Sequence, residues 1–98
     1  MINVVATVKV REESTAEFEQ IVAGFRPRML ADSGCLRYDL QRVQNAPGTY
    51  VLLESYDSSE ALQRHGASAE FTEFGAAIGA FLLGKPELTF LDPVGEQL

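Results

Sequence analysis

The side chains best suited to proton transfer lie close together in the sequence, within residues 54–71, ESYDSSEALQRHGASAEF. His65 is the only histidine of the chain, and an imidazole changes its protonation state near neutral pH. Glu54 interrupts an apolar strand pattern, where a carboxylate must find a partner, be protonated or meet water in a cavity. Tyr38 and Tyr56 could donate hydrogen bonds to negative charge that develops on a substrate. These residue types indicate general acid–base chemistry.

Each of these side chains also has a purely structural interpretation. A glutamate near a strand end can simply accept a hydrogen bond from a tyrosine, and a lone histidine is often a helix-end residue. Tyrosines commonly pack in a core with the hydroxyl at its rim. The sequence has no Ser-His-Asp order, Gly-rich phosphate loop or metal-ligand spacing. Cys35 is the only cysteine, which excludes an internal disulfide, and we expect no metal site.

Length and composition indicate one globular domain that spans residues 1–98, of which 46% are hydrophobic and 22% charged. The formal net charge of −6 argues against a nucleic-acid binder, because that function needs clustered Lys and Arg. No apolar run approaches the ~20 residues of a membrane span, and the N-terminus lacks a signal-peptide pattern. We therefore expect a cytoplasmic protein that binds neither nucleic acid nor membranes.

Hydrophobic periodicity predicts the elements that must position these residues. The predicted strands are residues 2–11, 35–43, 49–56 and 87–94. The predicted helices are residues 14–34, 57–65 and 68–84, with Asp57 as a cap and Gly66 as an interruption. The order is that of the ferredoxin-like βαββαβ arrangement, an α+β fold. Its helices cover one face of a four-stranded antiparallel sheet.

Alternation along the strands assigns their side chains to two faces of the sheet. On the helix-covered face we expect Val4, Ala6, Val8, Leu36, Tyr38, Leu40, Tyr50, Leu52, Glu54, Tyr56, Leu88 and Phe90. The opposite face carries Val5, Val51, Leu53 and Leu91 among polar residues, which is too apolar for a sheet open to water. We therefore expect a homodimer in which the sheets of two copies pack face to face.

Three segments resemble the antibiotic biosynthesis monooxygenase family of dimeric α/β barrels, which includes small quinol monooxygenases. They are GCLRYDL at 34–40, ESYDSSEALQRH at 54–65 and GKPELTFLDPV at 84–94. The resemblance extends over nearly the whole chain and implies a barrel formed by two copies. Members of the family include cofactor-independent oxygenases of polyphenols and quinols, haem-degrading enzymes and an isomerase of a phosphorylated signal molecule.

The chain departs from this family at two positions. Many members have a second histidine in a Ser-x-His pattern, whereas here Ser68 and Ala69 are followed by Glu70. Haem-degrading members rely on a tryptophan near the end of the third strand, where this chain has Tyr56. Because the chain contains no tryptophan, the resemblance disfavours haem degradation.

The residues and the resemblance together predict a cofactor-independent monooxygenase, without metal or flavin, that oxidises a small quinol or polyphenolic substrate with dioxygen. A phenolate can give an electron to dioxygen, so the protein must deprotonate, position and desolvate its substrate. His65 faces inward from its short helix and is the candidate base, and Glu54 would orient His65 or hold the substrate hydroxyl. The candidate substrate-binding residues are Tyr38, Tyr56, Phe71 and Phe74.

Two alternatives stay open at this stage. A proton-transfer enzyme, such as an isomerase, could use His65 and Glu54 without oxygen. A non-enzymatic dimeric barrel could bind or sequester a small apolar ligand. A collapsed pocket, or a pocket that the two side chains do not share, would favour this last alternative.

Overall fold

The computed structural model describes residues 1–96 and has the predicted order of strands and helices. The strands are β1 (Ile2–Lys9), β2 (Cys35–Arg42), β3 (Thr49–Tyr56) and β4 (Glu87–Leu91). The helices are α1 (Thr15–Leu30), α2 (Ser59–Ala67) and α3 (Ala69–Ile78), with 3₁₀ turns at Glu12–Ser14 and Gly79–Phe81. The strands form one antiparallel sheet in the order β2-β3-β1-β4. The α+β ferredoxin-like fold is therefore confirmed, and the sheet of the single chain is open.

The core lies between one face of this sheet and the helices. Along β1 the buried residues alternate with half-buried ones, as the sequence pattern predicts for a strand with one apolar face. Val4 is opposite Glu54 in β3, and Ala6 is opposite Leu52, so these four side chains share the covered face. The helices contribute their own apolar stripes, which are Phe18, Val22 and Met29 from α1 and Phe74 and Ile78 from α3.

The predicted side-chain assignment along β2 is wrong at Leu36. The register against β3 shifts there, because Cys35 is opposite Tyr56 while Arg37 is opposite Ser55. Leu36 is therefore the extra residue of a β-bulge and is 54% exposed, and Cys35 takes the buried position. A bulge adds one residue without changing the hydrophobicity of its neighbours, so simple alternation does not reveal it.

The predicted start of α2 is wrong by one residue and its predicted end by two. Ser58, not Asp57, caps this helix, because its side-chain oxygen accepts a hydrogen bond from the backbone N–H of Ala61 at 3.2 Å. Gly66 lies inside α2 instead of interrupting it. Helix α3 begins next to Ser68, as expected from the sequence, and the Ser68 side chain caps it. Within residues 1–96, no helix has the length and apolar character that crossing a bilayer would require.

The helix that carries His65 is held against the start of β2 by a close approach and an ion pair. A Cβ atom at Gly34 would lie 2.5 Å from the Cβ of Ala61, so only glycine permits this packing. The Arg64 guanidinium donates hydrogen bonds of 2.9 and 3.0 Å to Asp32 and lowers the pKa of that carboxyl to about 2. These contacts fix the last turn of α2, and with it the position of His65.

The edge strand β4 leaves apolar side chains uncovered in the single chain. Leu88 is opposite Ala6 and Phe90 is opposite Val4, which confirms the predicted face of both residues. They are nevertheless 54% and 60% exposed, so the expected burial is not reached within one copy. Leu91, on the other face, is exposed as well. Exposed apolar side chains on both faces of one strand are typical of a surface that a partner covers.

Candidate active site

Two cavities adjoin the covered face of the sheet, and they differ in polarity. The first, which we call the apolar cavity, has a volume of about 390 Å³ and lies between the sheet and helices α1 and α3. Its walls are mainly aliphatic and aromatic, and Glu54 is the one carboxylate among the described residues that line it. The second, which we call the polar cleft, has a volume of about 540 Å³ and is lined by charged residues of α1, α2 and the segment before β2. The apolar cavity has the size and composition of a small-molecule site.

Glu54 is the carboxylate of the apolar cavity and is only 8% exposed. The hydroxyl of Tyr56 donates a hydrogen bond of 2.5 Å to its Oε1 atom. Its Oε2 atom has no hydrogen-bond partner among residues 1–96. No polar side-chain atom in that range is both fully buried and unpaired, so Oε2 is not fully buried. We therefore take Oε2 to be accessible from the cavity that Glu54 lines. Burial raises the pKa of Glu54 to about 7, and the hydrogen bond from Tyr56 opposes this shift.

His65 lies beside Glu54 in a largely aromatic environment. Its ring centroid is 5.2 Å from that of Tyr56, 5.7 Å from that of Tyr38 and 5.1 Å from that of Phe71. Its Nε2 atom lies 3.9 Å from Oε1 of Glu54, which is too far for a hydrogen bond. Burial lowers the pKa of the imidazole, so at pH 7 this contact joins a neutral ring to the carboxyl and is not an ion pair.

The structure brings the predicted site residues into one cluster but divides them between the two cavities. Glu54, Tyr38, Phe71 and Phe74 line the apolar cavity. His65 and Tyr56 line the polar cleft, as does Glu70. His65 and Glu54 therefore touch without sharing a cavity. A substrate in the apolar cavity would meet Glu54 directly, whereas His65 would lie behind the cavity wall.

The tyrosine hydroxyls and the cysteine thiol near Glu54 stay protonated at neutral pH. Burial raises the pKa values of Tyr38 and Tyr56, so both hydroxyls remain hydrogen-bond donors. Burial also raises the pKa of the Cys35 thiol to about 11, which makes it a poor nucleophile. Within residues 1–96, no group of three or more His, Cys, Asp or Glu side chains is arranged to hold a metal ion. Glu54 is thus the candidate group for proton transfer in the apolar cavity.

The loop between α3 and β4 contributes cavity residues that sequence reasoning missed. Leu82, Lys85 and Pro86 all line the apolar cavity. The pattern of GKPELTFLDPV predicts only a helix end followed by a strand. The available signal is a lysine between two turn-forming residues, Gly84 and Pro86, next to an apolar strand. This signal indicates a cavity residue only when the position of the loop in the fold is known.

Glu54 should make the stability of the protein depend on pH in a direction unusual for a carboxylate. Its folded-state pKa of about 7 lies above the ordinary value of 4.5, so the stability it contributes is present below pH 4.5 and is lost as the pH rises through 7. Glu54→Gln, which removes the buried charge, should raise the free energy of unfolding at pH 8 by about 2–3 kcal/mol. At pH 4.5 the gain should nearly vanish. Urea titrations of both proteins at the two pH values measure this, and an equal gain at both would contradict the buried-charge explanation.

Comparisons with known proteins agree with this architecture. The sequence profile of the family described as "Antibiotic biosynthesis monooxygenase" matches residues 1–77. The chain is 32% identical to "Putative monooxygenase YcnE" of Bacillus subtilis over 98 residues, which covers 100% of this chain and 98% of that protein. It is 28% identical to "Putative monooxygenase Rv0793" of Mycobacterium tuberculosis over 95% of this chain and 91% of that protein.

A solved structure from Caulobacter crescentus, described as a "putative antibiotic biosynthesis monooxygenase", matches with a TM-score of 0.91 and 40% identity. The match covers 95% of this chain and 89% of that one. The family profile includes β1, α1, β2, β3 and α2, and thus both Glu54 and His65. This chain therefore belongs to the antibiotic biosynthesis monooxygenase family.

Proposed function

We propose that the protein is a monooxygenase that oxidises a phenol or quinol to a quinone with dioxygen, and that Glu54 is its base. The observation that carries this proposal is a buried carboxylate with a pKa of about 7 in a largely apolar cavity of about 390 Å³. A base works best when its pKa is near the operating pH. The names of the relatives from Bacillus subtilis and Mycobacterium tuberculosis support the same class of reaction.

The proposed reaction balances without an external reductant. Glu54 takes the proton of a substrate hydroxyl, and the resulting phenolate gives one electron to dioxygen. The two radicals combine at a ring carbon that carries hydrogen, and the peroxide that forms receives the proton from Glu54. Loss of the ring hydrogen and cleavage of the O–O bond then leave a carbonyl at that carbon and release water. The substrate thus loses two hydrogens and gains one oxygen atom, and the second oxygen atom leaves as water.

The apolar cavity supplies the conditions that this chemistry needs. Phe71 and Phe74 offer aromatic walls against which a ring can pack, and Phe74 also packs edge-on against Tyr38. Desolvation strengthens the interactions of a charged intermediate with the protein dipoles around it. Tyr56 holds Oε1 of Glu54 and leaves Oε2 for the substrate. In this assignment Glu54 takes the role first expected of His65, and the imidazole packs beside the carboxyl from behind the cavity wall.

We further propose that the active form is a homodimer assembled through the open sheet face, as expected from the sequence. On that face Val5 is opposite Leu53 and Thr7 is opposite Val51, which forms an apolar band across the two central strands. Phe90 and Leu91 of the edge strand are exposed on opposite faces. A partner sheet packed against this face would cover both the band and Leu91.

The proposed function is tested by measuring oxygen uptake with a panel of quinols, naphthols and hydroxylated polycyclic aromatics, in the presence of a metal chelator. We expect at least one substrate to consume one dioxygen per molecule and to yield a quinone that contains one oxygen atom from labelled dioxygen. Unlabelled product, or uptake that the chelator or added flavin controls, would contradict the proposal.

The separation of His65 and Glu54 between two cavities favours one alternative, a module that binds a small apolar ligand without converting it. Such a module would bind members of the same panel and consume no oxygen. Proton-transfer activity without oxygen would be detected as exchange of substrate hydrogens with deuterated solvent under argon.

A further inference from the structure

Lys85 lies at the opposite end of the apolar cavity from Glu54. Glu54 is opposite Val4 in β1, whereas the backbone N–H of Leu83, two residues before Lys85, donates to the carbonyl of Lys9. These two positions on β1 are separated by roughly 15 Å at the usual rise of a strand. Lys85 is exposed at the edge of the cavity and also borders a neighbouring surface depression with Lys9 and Glu87. The cavity therefore has an acidic end and a basic end with apolar walls between them.

Lys85 is also free to bind an anion. All of the arginines form ion pairs, namely Arg11 with Glu13, Arg26 and Arg37 with Asp39, Arg28 with Glu73, Arg42 with Glu19, and Arg64 with Asp32. By contrast, neither Lys9 nor Lys85 has an ion-pair partner among residues 1–96. The formal net charge of the chain is −6, so an unpaired lysine beside the cavity gives this part of the surface a charge opposite to that of the whole chain. Lys9 does not line the apolar cavity, so Lys85 alone has this position among the described lysines.

We propose that the apolar cavity takes an elongated aromatic acid, with its phenolic hydroxyl at Glu54 and its anionic substituent at Lys85. The hydroxyl end of this assignment rests on the proposed function, whereas the anionic end rests on Lys85 alone. The reversed orientation would place two negative charges together in a cavity of low dielectric once Glu54 is ionised.

The test compares two ligands that differ only in charge, 6-hydroxy-2-naphthoate and 6-hydroxy-2-naphthamide. Their binding is measured under argon at pH 8 by calorimetry and by naphthol fluorescence, so that turnover does not contribute. The wild type should bind the carboxylate about 10-fold more tightly than the amide, since a hydrogen bond from a cation to an anion is stronger than one to a neutral group. Lys85→Gln should remove this preference, whereas the control Lys9→Gln, which keeps the same net charge as the test variant, should retain it.

A preference for the carboxylate that survives in Lys85→Gln would overturn the proposal. So would a wild type that binds the amide as tightly as the acid, or that binds neither ligand at millimolar concentration. The same experiments distinguish failure of the anion site from failure of the proposed function. If the preference is present but no substrate consumes oxygen, the monooxygenase assignment is wrong while the anion site stands. If oxygen is consumed without any dependence on Lys85, the monooxygenase assignment stands and the anion site is wrong.

Discussion

Glu54→Gln should lower the rate of oxygen consumption by about 10²-fold or more, the scale on which a general base contributes to turnover. The amide has nearly the volume of the carboxyl, and its oxygen can still accept the hydrogen bond that Tyr56 donates to Oε1. It cannot accept a proton from a phenol. Initial rates of oxygen uptake at saturating substrate measure the effect, and ligand affinity measured under argon shows whether the cavity is intact.

The chain offers a matched control for this substitution. Glu19 also accepts a short hydrogen bond from a tyrosine hydroxyl, that of Tyr50, but it is half-buried, pairs with the exposed Arg42 and does not line the apolar cavity. Glu19→Gln removes the same charge and should leave turnover within about 2-fold of the wild type, because substitutions outside a site rarely disturb it. If Glu54→Gln and Glu19→Gln were equally active, Glu54 would not be the base.

Leu53→Asp should prevent assembly of the proposed homodimer. Leu53 lies on the open face of the sheet, opposite Val5 in β1 and Asp39 in β2. The new carboxylate would be desolvated at the dimer interface and would lie beside the carboxylate of Asp39, so both burial and repulsion oppose association. We expect the dimer dissociation constant to rise by about 10³-fold, the scale of an uncompensated charge in an interface. Sedimentation at micromolar concentration measures it.

Gln63→Asp is the control for this prediction, since Gln63 is an exposed residue of α2 and the substitution adds the same charge. It should leave the dimer intact. Circular dichroism of Leu53→Asp distinguishes a folded monomer from an unfolded chain, because the face carrying Leu53 is not the core face of the single chain. A folded Leu53→Asp dimer, or a wild type that sediments as a monomer, would place the assembly surface elsewhere.

The fold could be predicted from the sequence because its signals are local and repeated. Val4, Ala6 and Val8 alternate with more exposed residues, and Phe18 and Val22 recur at helical spacing, so each pattern predicts its own element. The position of Glu54 on the covered face followed from the same alternation. The bulge at Leu36 did not, because register depends on the partner strand and not on the pattern of one strand.

The division of the site could not be predicted from spacing. The helical position of His65 indicates that the imidazole points toward the sheet, but not which cavity it faces. That depends on how closely α2 approaches β2, which Gly34 and the pair of Arg64 with Asp32 decide. The position of Lys85 at the cavity could not be predicted for a related reason. Whether a lysine is paired is a property of its three-dimensional neighbours, and the sequence shows only its charge.

The pH dependence of kcat/KM for oxygen uptake tests most directly whether Glu54 is the base. Since the carboxylate is the active form, the rate should rise with pH and level off above about 7, where Glu54 has lost its proton. Tyr38, Tyr56 and Cys35 titrate well above this range, and a second phenol of lower pKa separates ionisation of the substrate from that of the protein. With Glu54 as the base, we expect the rise near pH 7 to persist in His65→Ala and to disappear in Glu54→Gln. A rise that is lost in His65→Ala and kept in Glu54→Gln would contradict it and identify the imidazole as the base.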